Sequence, residues 1–404
     1  MDTSMLAFAT DLNDEGIDAV LDNVQERAGL GGLTLAASYH DARDLFPHNP
    51  VRKVRYLEGG AVFFRLDESR YEGLRPHVAG LASTKDPLED LCVAAVERGM
   101  EANAWVVFLH SDRLGFTNPG CATRNAFGDP YLTDLCPSNP EVRGYARALA
   151  SDVARYDVST VFAESLHFHG LEHGYHHERY FEEIGPVGSY LLGLCFCDHC
   201  LEAATRSGVD AERVHRSVRD ELERRFSGEN EGQEEVSREV LADFGEGQLL
   251  LYIDARIGTV TSLAAEVSGA VAEEGARFVF LDLSGAEKGF ATGHPTGEAT
   301  PTIGWRTGVD AAALAEACDN VEVTGYAADA DRLRFDLDAY SSLLADGAPP
   351  GLLLRPMPPD CRSAENLAEK VAIAREYGLE RLDFYHYGFC RLRSLDWIRE
   401  SLIT

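Results

Sequence analysis

Residues 140–164 read PEVRGYARALASDVARYDVSTVFAE. Pro140 to Tyr156 is an amphipathic helical pattern opened by a proline at a position where its missing N–H costs nothing. Thr160 to Ala163 is a short apolar, partly β-branched run that ends on an acid, Glu164. A strand with no polar alternation is one covered on both faces, as in a parallel sheet flanked by helices.

The same unit recurs outward in both directions. The remaining candidate strands are Met5 to Ala9, Leu33 to Ala37, Trp105 to Leu109, Phe278 to Leu281, Val321 to Thr324, Leu352 to Leu354 and Leu382 to Tyr385. Helical patterns fall between them at Ile17 to Arg27, Pro87 to Arg98, Ile257 to Glu274, Ala311 to Cys318, Leu333 to Leu344 and Glu365 to Tyr377. Eight apolar strands alternating with helical patterns predict an α/β fold, a (β/α)8 TIM barrel, as one domain over residues 1–404. Long loops are expected after strands three and four, from about Gly115 to Asp134 and from His167 to Cys200. A charged helical insertion without chemistry of its own is expected over 201–247.

The chain has 67 acidic and 37 basic residues, a net charge of -30, and only four lysines, at 53, 85, 288 and 370. Such a field repels nucleic acid and anionic membranes. An acidic, Lys-poor, Arg-rich surface resembles that of proteins from salt-loving organisms, where molar salt screens the repulsion. Met1-Asp2-Thr3-Ser4 lacks the basic region of a secretory signal, and no uncharged run approaches a membrane span, so a cytoplasmic location is expected. No interface signal is visible, although related barrels often form homo-oligomers.

Cys195-Phe196-Cys197-Asp198-His199-Cys200 begins 31 residues after Glu164. Three closely spaced cysteines ask for a fourth to complete a structural Zn²⁺ site. Cys136, in Leu135-Cys136-Pro137, is the first choice and Cys121 the spare. Nine cysteines, grouped in this way, suit metal better than a disulfide framework.

In a barrel, the loops after the strands build the active site. Glu164 is expected to project there as a general acid with a raised pKa. Asp282, closing Phe278-Val279-Phe280-Leu281, is the first choice for a second carboxylate. Asp11, Asp329 and Asp360 are alternatives, and helix capping is the commoner job for an Asp after a strand. His167, His169, His173, His176 and His177 crowd the loop after Glu164. Of these, His176 and His177 are read as a substrate-binding rim, and His167 with His169 as a weaker metal pair. His110, Arg355, Tyr385 and Tyr387 at strand ends, and Asn125 in the loop before Cys136, complete the candidate substrate-binding set. Aromatic rings stack on pyranose faces and Arg holds a carboxylate, which suits a small-molecule or oligosaccharide substrate, an acidic sugar among them.

A strand-four Glu, a preceding Cys-Pro-x-x-Pro and a following Cys-x-Cys-x-x-Cys resemble the zinc-containing β-galactosidases of glycoside hydrolase family 42, over roughly residues 100–200. The resemblance implies Glu164 as acid/base and Cys136, Cys195, Cys197 and Cys200 as zinc ligands. Three departures stand against it. Ala163 replaces the family's Asn, the interval from Glu164 to Cys195 is much longer than the family's, and strand seven ends Leu352-Leu353-Leu354-Arg355-Pro356, with no Glu for a nucleophile. The expectation is a divergent glycoside hydrolase-like enzyme using Glu164 and Asp282. Its rivals are a metal-dependent sugar isomerase or epimerase with Glu164, Asp282 and His167 as ligands, and a carbohydrate-binding barrel without catalysis.

Overall fold

The computed structural model describes residues 1–171, 178–229, 232–285, 292–345 and 347–403. Eight parallel strands close on themselves: β1 (Asp2–Phe8), β2 (Gly32–Tyr39), β3 (Glu101–Val107), β4 (Thr160–Glu164), β5 (Arg277–Asp282), β6 (Asn320–Thr324), β7 (Gly351–Leu354) and β8 (Arg381–Phe384). Each pairs with the next, and β8 pairs with β1. The ring is a (β/α)8 barrel, and all eight strands lie where the apolar runs placed them.

Eight helices cover it: α1 (Ile17–Asp22), α2 (Pro87–Arg98), α3 (Pro140–Ala154), α4 (Gln248–Glu273), α5 (Ala311–Ala317), α6 (Ala330–Leu343), α7 (Ala364–Glu376) and α8 (Leu392–Ile403). Their starts follow from local chemistry. Asp86, Asn139, Asp310, Asp329 and Ser363 each accept a hydrogen bond from an amide of the first turn. Among the described residues, no helix is long and apolar enough to cross a membrane.

Register decides which side chains face the lumen, because partnered residues on neighbouring strands point the same way. Phe162 of β4 pairs with Trp105 of β3 and with Val279 of β5, so Glu164 lies level with Val107 and faces in. On β5 the inward set is then Val279 and Leu281. A bulge in β2 between Ala36 and Ser38 shifts the pleat, and Tyr39 packs edge-on against Phe8, with ring centroids 4.9 Å apart. Lower in the lumen, Arg381 donates to Asp383 at 2.6 Å and lies over the Phe162 ring.

Three excursions rise beyond the ring. The connection from β2 to α2 carries a hairpin, Ala42–Leu45 against Val54–Leu57, that sequence patterning did not reveal. The connection from β3 to α3 carries the strand Pro130–Leu135 and a short helix, Asp112–Thr117, packed so closely that a Cβ on Gly115 would collide with the Leu132 carbonyl. The third, after β4, holds the helices Gly185–Leu192, Asp198–Arg206, Ala211–Phe226 and Arg238–Leu241. Val187, Leu191, Phe196, Val214, Val218 and Leu222 form a second core there with Leu249, Tyr252 and Ile253 of α4. That core explains why α4 starts at Gln248 and not at Ile257: its first turns are buried by the insertion.

Candidate functional site

The C-terminal mouth of the barrel is floored by aromatics around one inward carboxyl group. Glu164 Oε2 accepts a 2.6 Å hydrogen bond from Trp105 Nε1. Burial pushes the Glu164 acid up to about 7, against the Trp105 hydrogen bond and the His110 charge, which both favour the ionised form. Tyr39 lies edge-on to Trp105 at 4.8 Å, Tyr385 at 5.8 Å, and Tyr326 tilts against Tyr385 at 5.9 Å. Directly after the acid, Ser165 sits in the left-handed region at φ 56°, turning the chain off the strand.

Arg355, inward at the end of β7, lies over the Tyr326 ring at 4.1 Å and is paired bidentately with Asp360. The fully buried Lys370 ammonium binds the carbonyls of Ala327 and Asp360, tying the loops after β6 and β7 together behind that pair. Asp44, on the hairpin after β2, is a further desolvated acid. Burial raises it to about 6, its Oδ2 is buried without a hydrogen-bond partner, and its charge acts on Tyr39 and Tyr385. Sequence reasoning missed it because no strand or motif marks the hairpin.

Several expected residues stand elsewhere. Asp282 is fully buried and faces the helix layer, where it accepts from Tyr340 Oη of α6 at 2.7 Å and from the Ser284 amide at 2.8 Å. It therefore does not project into the mouth, and burial raises its acid. Glu164, Asp282 and His167 accordingly do not converge on one ion. Asp11 reaches back to the Phe8 amide at 2.9 Å, as a helix-start carboxylate does. Asp329 caps α6. Asn125 folds its own turn through the Phe127 and Asp129 amides. Tyr387 is buried, donating to Glu15 and accepting from Asn23. His173, His176 and His177 lie outside the described residues.

Beside Glu164, the loops after β2, β3 and β4 bring four imidazoles together. Ring centroids are 5.0 Å apart for His40 and His110, 5.5 Å for His110 and His169, and 4.9 Å for His169 and His167. His169 Nδ1 and His110 Nδ1 lie 2.8 and 3.2 Å from Asp134 Oδ1. Burial opposes ionisation of Asp134, but the two imidazoles hold its acid well below the usual carboxylate range.

Above α3, Cys136, Cys195, Cys197 and Cys200 form a buried four-sulfur cluster that could bind a metal. Cys136 Sγ lies 3.5 Å from Cys197 and Cys200 and 3.9 Å from Cys195. Bonds of 2.3 Å to a tetrahedral Zn²⁺ place thiolates about 3.8 Å apart, so these spacings fit. Cys121 stands outside, against Glu141.

No protein-family model matches the sequence, and no curated protein matches it. Solved structures are similar in shape. They include an α-L-fucosidase isoenzyme 2 from Paenibacillus thiaminolyticus, at 11% identity and TM-score 0.54, covering 100% of this chain and 48% of that one. A β-galactosidase from the psychrophilic Marinomonas ef1 matches at 10% and 0.56, over 100% and 59%. The catalytic domain of a β-amylase from Paenibacillus polymyxa matches at 9% and 0.56, over 100% and 97%. The chain thus spans about half the length of the fucosidase and 59% of the β-galactosidase. At these identities the likeness is one of fold, and the fold it establishes is the (β/α)8 barrel.

Proposed function

We propose that the chain is a glycoside hydrolase-like enzyme in which Glu164 protonates the glycosidic oxygen. The observation that carries this reading is that Glu164 is the one acid facing inward among the barrel strand ends, held by Trp105 and desolvated until its acid sits near 7. A carboxyl with that pKa is protonated often enough at neutral pH to donate, and acidic enough to do so quickly. Tyr39, Trp105, Tyr326 and Tyr385 supply faces on which a sugar ring stacks. Arg355 lies beside them as a cationic rim, already partnered by Asp360.

Glycoside cleavage with a protein nucleophile or base needs a second carboxylate. Asp282 is turned away, so we assign that role to Asp44 on the hairpin after β2, whose Oδ2 is buried without a hydrogen-bond partner and whose charge acts on Tyr39 and Tyr385. The similar solved structures named as a fucosidase, a β-galactosidase and a β-amylase support a sugar substrate. A Zn²⁺ on Cys136, Cys195, Cys197 and Cys200 would be structural, closing the loop after β4 onto the loop before α3 with no open ligand position. A cytoplasmic location and a salt-adapted surface belong to the same reading.

The test is turnover of aryl glycosides by the wild type, Glu164→Gln and Asp44→Asn. Both substitutions should lower kcat by about 10²–10⁴-fold. Wild-type turnover in Glu164→Gln would rule the mechanism out.

A further inference from the structure

We infer that the mouth holds a second metal site, a two-histidine, one-carboxylate set for a divalent first-row transition ion, made by His110, His169 and Asp134. The ligand atoms of these three residues all lie within 4.8 Å of one another, and all three are buried. The two spacings to Asp134 Oδ1, 2.8 and 3.2 Å, suit the edges of a coordination shell. Bonds of about 2.0–2.2 Å from imidazole nitrogen and carboxylate oxygen give edges of roughly 2.8–3.1 Å in an octahedral shell and roughly 3.3–3.6 Å in a tetrahedral one, a span that brackets both spacings.

A second, independent feature points the same way. His167 is 4% exposed and its ring lies 4.9 Å from that of His169. Its Nδ1 donates to the Phe168 carbonyl at 2.7 Å, which leaves Nε2 as the lone-pair nitrogen, and Nε2 is buried with no hydrogen-bond partner. A buried imidazole lone pair without a donor is costly in a purely hydrogen-bonded cluster. An ion held by the neighbouring set removes that cost through a bound water, His167 itself lying outside the three residues whose ligand atoms cluster. Asp134 Oδ2 is meanwhile fixed by Thr133 Oγ1 at 2.9 Å, so the carboxylate that would bind the ion is already oriented.

The set differs in kind from the cysteine cluster. Four thiolates close a coordination shell, whereas three ligands of the His/His/Asp type leave positions open. Nitrogen and oxygen donors select first-row ions such as Zn²⁺, Mn²⁺ or Fe²⁺. The His110 side chain acts electrostatically on Glu164, so the set stands near the acid, and its open positions would take oxygens of a substrate: neighbouring hydroxyls, or the carboxylate of an acidic sugar. Metal binding here does not depend on the hydrolase reading, and the experiment separates the two because it counts ions and does not need turnover.

The chain is dialysed against low-micromolar Zn²⁺ in molar KCl, so that the acidic surface does not retain ions, and metal per chain is measured. Two ions are expected for the wild type and one for the double variant His110→Ala/His169→Ala. Asp134→Asn should weaken the second ion by at least the roughly 10–100-fold that losing even an outer-shell partner costs. Cys197→Ser should release the other ion and keep this one. Retention of the cysteine-bound ion, with an unchanged near-ultraviolet circular dichroism spectrum, shows that the double variant folds. One ion in both wild type and double variant overturns the proposal, as do two ions in both.

Discussion

Glu164 was legible from its residue type and place, an acid ending an apolar strand, and the structure adds what surrounds it. The groups facing it are Trp105 and His110 from the β3 side, Tyr39 from β2, Tyr326 after β6 and Tyr385 after β8. A donating acid with a pKa of about 7 predicts that kcat/KM falls as pH rises through 7. Trp105→Phe removes the donor that stabilises the ionised form, so this limb should move upward by roughly one pH unit. Measured pH profiles decide it, and an unmoved limb would mean another group titrates. Linkage gives a second readout. The folded pKa is raised from 4.5, so the associated stability is complete below 4.5 and lost as pH rises through about 7. Glu164→Gln should therefore be more stable than the wild type at pH 8, by about 1–3 kcal/mol in denaturant unfolding, with the difference gone near pH 4.5. Asp282 was not legible in this way, because one residue of register reverses a strand's faces and the pairing of Phe162 with Val279 is not written in either segment. Its bond from Tyr340 predicts that Asp282→Asn and Tyr340→Phe destabilise by about 1–3 kcal/mol and leave the pH limb where it is. Denaturant unfolding beside a pH profile checks both.

At the scale of elements, the eight strands could be read because buried parallel strands are apolar throughout and helix starts carry Asp, Asn, Ser or Pro. The excursions could not, because their elements owe their existence to each other. The hairpin bearing Asp44 alternates too weakly to be seen, with Leu45, Val54 and Tyr56 exposed, and the early start of α4 needs the insertion's core to cover it. The cysteine spacing was the exception: Cys-x-Cys-x-x-Cys places three sulfurs at the head of the helix Asp198–Arg206, and Cys136 at the mouth of α3 faces them. Metal-binding energy at such a site is folding energy. Chelation, or Cys197→Ser, should thus raise amide hydrogen exchange in 195–206 and 121–136 while the strands β6 to β8 stay protected. Uniform protection after metal loss would mean that hydrophobic packing alone holds these loops.

For the whole molecule, a charge of -30 on a single barrel means mutual repulsion across most of the surface. Salt bridges there are mostly exposed, such as Arg98 with Asp18 and Arg75 with Glu68, and each contributes little. Screening should therefore outweigh their weakening: the unfolding temperature should climb steadily from about 0.1 to 2 M KCl, over which the screening length falls from about 10 Å to below 3 Å. Cleavage of a glycosidic bond with Glu164, a desolvated acid at the barrel mouth, as the proton donor is the central proposal. Its most direct test is hydrolysis of a panel of aryl glycosides and uronides in molar KCl by the wild type and Glu164→Gln. Wild-type turnover of at least one sugar, lost in the variant, is expected. Equal turnover by both proteins, or sugar binding with no cleavage by either, would contradict it.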